Sequence, residues 1–293
     1  MKVGGISLLY FCEKHRFRPW NVWRSGSSIS IMSGFDPMRL VFVLLGGLVL
    51  LFIIAPLAGM FIATSPAEFF ETAADREVAG SIGLTLWTSM LATIIFGVAA
   101  IPFAWILARK KFPFKKLVSA IIDVPVVIPH SAAGIAILGF VSRDTVVGRL
   151  GESVGLNFVG SAPGIILAMA FVSIPFLVNA ARDGFAAVPE KLEKAALVLG
   201  ASPARVFFTI SLPLAWRSIV SGMIMMWARG MSEFGAVVIV AYHPMITPVL
   251  IYERFGAFGL AYARPVAVVF ICVCLAFFVL LRMLSSKYDN AES

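Results

Sequence analysis

Six apolar runs dominate the chain, at residues 40–62, 81–107, 117–141, 164–181, 219–241 and 265–284. A helix needs about 20 mainly apolar residues to cross a bilayer, so the runs predict an all-α integral membrane protein with six transmembrane helices. Two of them carry polar groups. The third holds Asp123, Pro125, Pro129 and His130, and the fifth holds Arg229 and Glu233. Both count as spans, because such residues are tolerated where they face other helices or a cavity. In the third, Pro125 and Pro129 are expected to bend the helix, while Ser131, Ala132, Ala133 and Gly134 allow close packing.

Composition narrows the partners. With 60% hydrophobic and 14% charged residues, the chain lies far from soluble averages, and membrane lipid is its expected solvent. The net charge of +8 does not point to nucleic acid, since the basic residues gather beside the apolar runs rather than along one soluble face. Their distribution predicts orientation. Lys2, Lys14, Arg16, Arg18, Arg24 and Arg39 precede or open the first span, and Arg109, Lys110, Lys111, Lys115 and Lys116 fill the second connection. Arg182, Lys191, Lys194, Arg205 and Arg217 surround the fourth, and Arg282 and Lys287 close the chain. The other side has only Arg76, Arg143, Arg149, Arg254 and Arg264, with an acidic first loop of Glu68, Glu71, Asp75 and Glu77. Both termini are therefore expected in the cytoplasm.

Residues 1–38 are read as a cytoplasmic arm, open to disorder and without a signal-peptide core; Met32 and Met38 are alternative starts. Residues 39–286 form the membrane domain and 287–293 a cytoplasmic tail. The third external loop, 242–264, is amphipathic, with Pro244 and Pro248, and is expected to dip back into the protein. Three cysteines, Cys12, Cys272 and Cys274, offer neither a disulfide framework nor a metal spacing. His15, His130 and His243 form no zinc pattern, and there is no phosphate loop or nucleophile elbow, so the chain alone is not expected to be an enzyme or to hold a cofactor.

One cytoplasmic segment, 188–213, breaks the greasy pattern, and its core reads EKAALVLGASPARVFFTISLP. Pro189, Glu190 and Glu193 suit a helix start, and Gly200 suits its left-handed stop. Ser202 and Pro203 begin a second short helix, expected to end near Ser211 before Pro213 opens the next span. Ala195, Ala196 and Leu199 share a face of the first helix, and Val206, Phe207 and Ile210 share one of the second. Those faces suit a helix docked in another protein's groove, or a connector packed on its own spans.

Ala195-Ala196, Gly200 and Ile210-Ser-Leu-Pro213 match the spacing of the cytoplasmic signature of ABC importer permeases, and the chain resembles that family over residues 40–284. Lys194 stands where the signature has glutamate, with Glu193 one place earlier. The resemblance implies the type I permease fold, with Glu193, Lys194, Ala195, Ala196, Gly200, Ala201, Ser202, Pro203, Phe207, Ile210 and Pro213 contacting an ABC ATPase subunit. The stretches DVPVVIPHSAAGIAIL at 123–138 and WARGMSEFGAVVIVAYHPMITPVLIYERF at 227–255 resemble the oxyanion branch, most of all archaeal tungstate/molybdate permeases. The resemblance also implies a homodimer, two ATPase subunits that hold ATP and Mg, an extracellular oxyanion-binding protein, and alternating access for molybdate or tungstate. Val127, Ile128 and Met231 are then expected at the gate, beside Ser232.

Arg229 and Glu233, four apart, can neutralise one another. They are either a structural pair or a site where Arg229 borders the pathway. The alternative functions are a sulfate/thiosulfate ABC permease and, from another class, an ATPase-independent secondary transporter or membrane scaffold.

Overall fold

The computed structural model describes residues 37–289. The arm upstream of Pro37, with Cys12, His15 and Met32, and the end of the tail, 290–293, lie outside the described residues. The chain divides at Ala55/Pro56 into two units. The first is most of α1 (Pro37–Ile62), an apolar helix that begins two residues inside the expected arm.

The second unit continues through α2 (Pro66–Ala74), α3 (Arg76–Arg109), α4 (Lys115–Val127), α5 (His130–Val141), α6 (Val146–Ser153) and α7 (Ala162–Ala187). It then runs through α8 (Glu190–Val198), α9 (Pro203–Val206), α10 (Leu212–Met231), α11 (Gly235–Val240), α12 (Thr247–Phe258) and α13 (Leu260–Asp289). Among the described residues five helical runs are long and apolar enough to cross a membrane, or six if the bent pair α4 and α5 is one span. The expected all-helical architecture is present, with five to six spans.

Helix α7 is the hub, with α3 and α10 against it. The buried surfaces use small residues: Ala92, Ala100 and Ala104 on α3, Ala168 and Ala181 on α7, Ala215 on α10. In lipid the hydrophobic effect does not drive helices together, so close approach and dispersion must. At Gly222 a methyl group would stand 2.8 Å from the Ala180 Cβ, which shows how near α10 lies to α7. Buried hydroxyls on α3 satisfy themselves locally: Thr85, Ser89 and Thr93 donate to carbonyls four residues back.

The loop at 242–264 contains α12, whose first turn docks on α3. The Thr247 amide donates to Thr85 Oγ1 at 2.9 Å, and the Ser81 and Thr85 hydroxyls each lie 3.2 Å from Thr247 Oγ1. Arg254 anchors the same helix through Asp75 at 2.6 Å and Glu77 at 2.9 Å. Its guanidinium holds the Asp75 carboxyl below the usual carboxylate range. A depressed carboxyl stabilises the fold above its unfolded pKa, about 4, and that contribution is lost as pH falls through the folded value. Asp75→Asn should therefore lower the thermal midpoint at pH 7, and the gap from wild type should close on acidification towards pH 3.

Two spans differ from expectation. The third is broken rather than bent: α4 and α5 meet at 111°. Ile128 precedes Pro129 and is pushed to extended backbone (φ −74°, ψ 150°), which ends α4. Each half is only about 20 Å long at 1.5 Å per residue, too short to cross alone. The fifth span is displaced to Pro203–Met231, 29 residues. No separate second helix ends at Ser211. A π-turn at Phe207–Ser211, closed by the Leu212 N–H on the Phe207 carbonyl, carries the helix past Pro213, whose ring bars the ordinary bond four residues back.

Candidate functional site: an exposed elbow and a charged helix break

At the elbow, α8 ends as its sequence requires. Gly200 takes φ +87°, the Gly200 amide donates to the Leu197 carbonyl, and the Ala201 amide donates to Ala196. This pair of bonds is the Schellman stop, and glycine allows it at little steric cost. The Ser202 hydroxyl then caps the next helix by accepting from the Arg205 amide at 3.3 Å, with Pro203 as its first residue.

The acidic side chain of the elbow turns inward. Glu193 Oε1 accepts from Arg109 Nε at 3.0 Å, Arg109 Nη2 at 2.9 Å and the Ser211 hydroxyl at 2.7 Å. Arg109 also donates to the Val188 carbonyl at 2.8 Å. Both side chains are largely buried, so this pair clamps α8 to the end of α3 and to the π-turn. Lys194 points outward and pairs with Glu190 at 2.8 Å, which keeps the Glu190 carboxyl below its usual range.

The apolar faces divide differently from the sequence expectation. Val206 is buried and Phe207 packs on Trp105 and Phe185, with ring centroids 5.7 and 5.9 Å apart; Ile210 is half-buried. The second face thus belongs to the chain's own bundle, and Glu193 and Phe207 are internal rather than outward contacts. What protrudes is Val198 and Leu199, each 87% exposed, followed by Gly200, with Ala195, Ser202, Pro203 and Pro213 exposed and Ala196 and Ala201 half-buried. Phe208 is exposed as well. The sequence reading did not name Val198, and it took Arg109 only as an orienting charge and Ser211 only as a helix end.

The second site lies where two helix breaks meet. Glu233 is 0% exposed; its Oε2 is 2.9 Å from Arg229 Nη2 and 3.1 Å from His130 Nδ1, and its Oε1 accepts from the Ala236 amide at 2.9 Å. Arg229 Nη2 lies 2.9 Å from both ring nitrogens of His130, and Nη1 donates to the Ser232 hydroxyl at 3.2 Å. Glu233 stands beyond the end of α10, not on its face, yet the expected pairing with Arg229 forms. The breaks touch backbone to backbone: a methyl on Gly134 would be 2.8 Å from the Ala236 carbonyl oxygen, and one on Gly235 2.8 Å from the His130 Cβ. Val127 and Ser232 are exposed, Ile128 is half-buried and Met231 is buried. The sequence reading named His130 within the third span but did not join it to Arg229 and Glu233.

Comparison with known proteins follows this geometry. Residues 100–290 match the family model described as binding-protein-dependent transport system inner membrane component. The chain is 44% identical over 249 residues to the molybdate/tungstate transport system permease protein WtpB of Thermococcus kodakarensis, covering 84% of this chain and 96% of that one. It is 33% identical over 212 residues to the probable sulfate transport system permease protein cysT of Chlorokybus atmophyticus, covering 71% and 74%. Among solved structures it resembles a bacterial ABC transporter involved in the import of the acidic polysaccharide alginate, with TM-score 0.67 at 19% identity over 85% of this chain and 96% of that one; that likeness concerns the fold. The family implied by the elbow's spacing is the family found: the chain belongs to the binding-protein-dependent transport system inner membrane components, the permeases of ABC importers.

Proposed function

We propose that this chain is the pathway-forming subunit of an ATP-driven molybdate/tungstate importer. Two copies form the pathway, two ABC ATPase subunits hold ATP and Mg, and an extracellular protein delivers the anion. The basic residues flanking the elbow support a cytoplasmic placement for it and for both termini. The observation that carries the reading is mechanical. From the exposed corner at Ser202 and Pro203, one helical run of 29 residues reaches Arg229 and the charged break. Along α10 alone that is about 30 Å. A displacement of the elbow by nucleotide-driven ATPase closure is transmitted along a stiff helix to the opposite end, where α5 and α11 meet. Alternating access needs such a link between energy and gate.

The 44% identity to a molybdate/tungstate permease favours that anion over sulfate, for which the relative described above is 33% identical. In a complex reconstituted with its binding protein, hydrolysis should respond to molybdate or tungstate at lower concentration than to sulfate; the reverse order would assign sulfate. The elbow is tested separately. Val198→Asp and Leu199→Asp alter exposed side chains, so the thermal midpoint should hardly move, while co-purification of the ATPase should be lost. Unchanged co-purification of both variants would rule out this docking surface, and failure of the wild-type chain to co-purify an ATPase would favour an ATPase-independent transporter.

A further inference from the structure

We propose that Arg229 and Ser232 form a weak transit site for the oxyanion, and that Glu233 is the fixed counter-charge that keeps it weak. The inference rests on the oxyanion reading above. The cluster has an accessible side and a sealed side. Arg229 is 22% exposed and His130 36%, and Ser232 is exposed, but Glu233 is 0% exposed and held from behind by the Ala236 amide. An anion arriving from the open side therefore meets the guanidinium and the Ser232 hydroxyl, whose proton rests on the Arg229 carbonyl at 3.0 Å and must turn to the anion, with the carboxylate out of reach.

The guanidinium suits a tetrahedral oxyanion, since it offers five N–H donors in a planar fork. Nη2 is committed to Glu233 and His130, and Nη1 reaches Ser232, whose hydroxyl stands at the open edge. His130 is the one titratable residue of α5, and α11 has none. Arg182 pairs with Asp183 on α7, Glu152 of α6 with Arg143, and Arg254 of α12 with Asp75 and Glu77.

The pairing explains how an arginine can sit on an anion route without stopping it. An unpaired guanidinium in a low-dielectric pathway would hold a dianion strongly. Conduction requires binding favourable enough to admit the ion and weak enough to release it. A carboxylate 2.9 Å away cancels most of the field while leaving the donors in place.

The test uses the full complex with its ATPase in lipid nanodiscs, without the binding protein, and measures tungstate bound by equilibrium dialysis. Transport is measured separately in proteoliposomes with the binding protein. Glu233→Gln keeps an acceptor for the Ala236 amide and removes the counter-charge; it should tighten tungstate binding roughly tenfold and slow turnover. Arg229→Gln should lose binding and transport. A purely structural ion pair gives the same sign for both variants, and that result overturns the proposal. Ser232→Asp guards against a folding failure. Placed on an exposed residue beside Arg229, it should preserve stability yet abolish binding and transport, and unaltered binding overturns the proposal. If the wild-type complex responds to no oxyanion, the anion reading itself fails. If it responds while the two charge variants move together, only the transit site falls.

Discussion

Glu193→Ala should cost about 3–5 kcal/mol of stability and detach the elbow, because it leaves the Arg109 guanidinium buried without its partner. Three donors converge on Glu193 Oε1, from Arg109 and Ser211, so one truncation frees α8 from both α3 and the π-turn. Removing the other partner, by Arg109→Ala, should cost a similar amount and also release the Val188 carbonyl. The double variant should be less damaging than the sum of the two, since neither charge is then stranded. Thermal unfolding of the detergent-solubilised protein measures the cost, and ATPase co-purification reads the coupling. Lys194→Ala is the contrast: its pair with Glu190 is exposed and screened by solvent, so its loss should hardly move the thermal midpoint. Equal losses for Glu193→Ala and Lys194→Ala would contradict the buried clamp.

That contrast also shows what the sequence could carry. Gly200, Ser202 and Pro203 were readable because their roles are local: a left-handed stop, a hydroxyl cap and a fixed φ each act within a few residues. The long apolar spans were readable because bilayer thickness dictates their length, although the third proved broken and the fifth displaced. Arg109 and Glu193, by contrast, stand 84 residues apart and His130 and Arg229 stand 99 apart, so chain folding alone brings them together. Glu193 looked like an outward acidic contact displaced by one place; its inward direction depends on where α3 ends. Pro213 looked like the opening of the next span because proline suits the first turn of a helix, and nothing local announces the π-turn that lets one helix run through it. Met231 was expected at the gate because the resemblance put the fifth span there, but its burial depends on which neighbours surround that face.

Gly134→Ala should abolish transport while leaving the spans inserted. The new Cβ would lie 2.8 Å from the Ala236 carbonyl oxygen, 2.9 Å from the Ile239 Cβ and 3.0 Å from the Ala236 Cα. None of these atoms is the free end of a flexible side chain, so α5 must move away from α11. Overpacking of this kind costs about 1–3 kcal/mol. The functional loss should exceed that cost, because His130 begins α5 and meets Arg229 and Glu233 at 2.9–3.1 Å, contacts that a shift of a few tenths of an ångström weakens. Gly139 lies on the same helix with nothing within 4 Å of an added methyl. Gly139→Ala should therefore be neutral or slightly stabilising, since alanine favours helix over glycine. Uptake by the two variants in proteoliposomes, beside their thermal midpoints, separates local helix propensity from the contact between breaks. If Gly134→Ala transports as well as Gly139→Ala, the meeting of α5 and α11 is not part of the gate, and the long helix from the elbow must act on some other element.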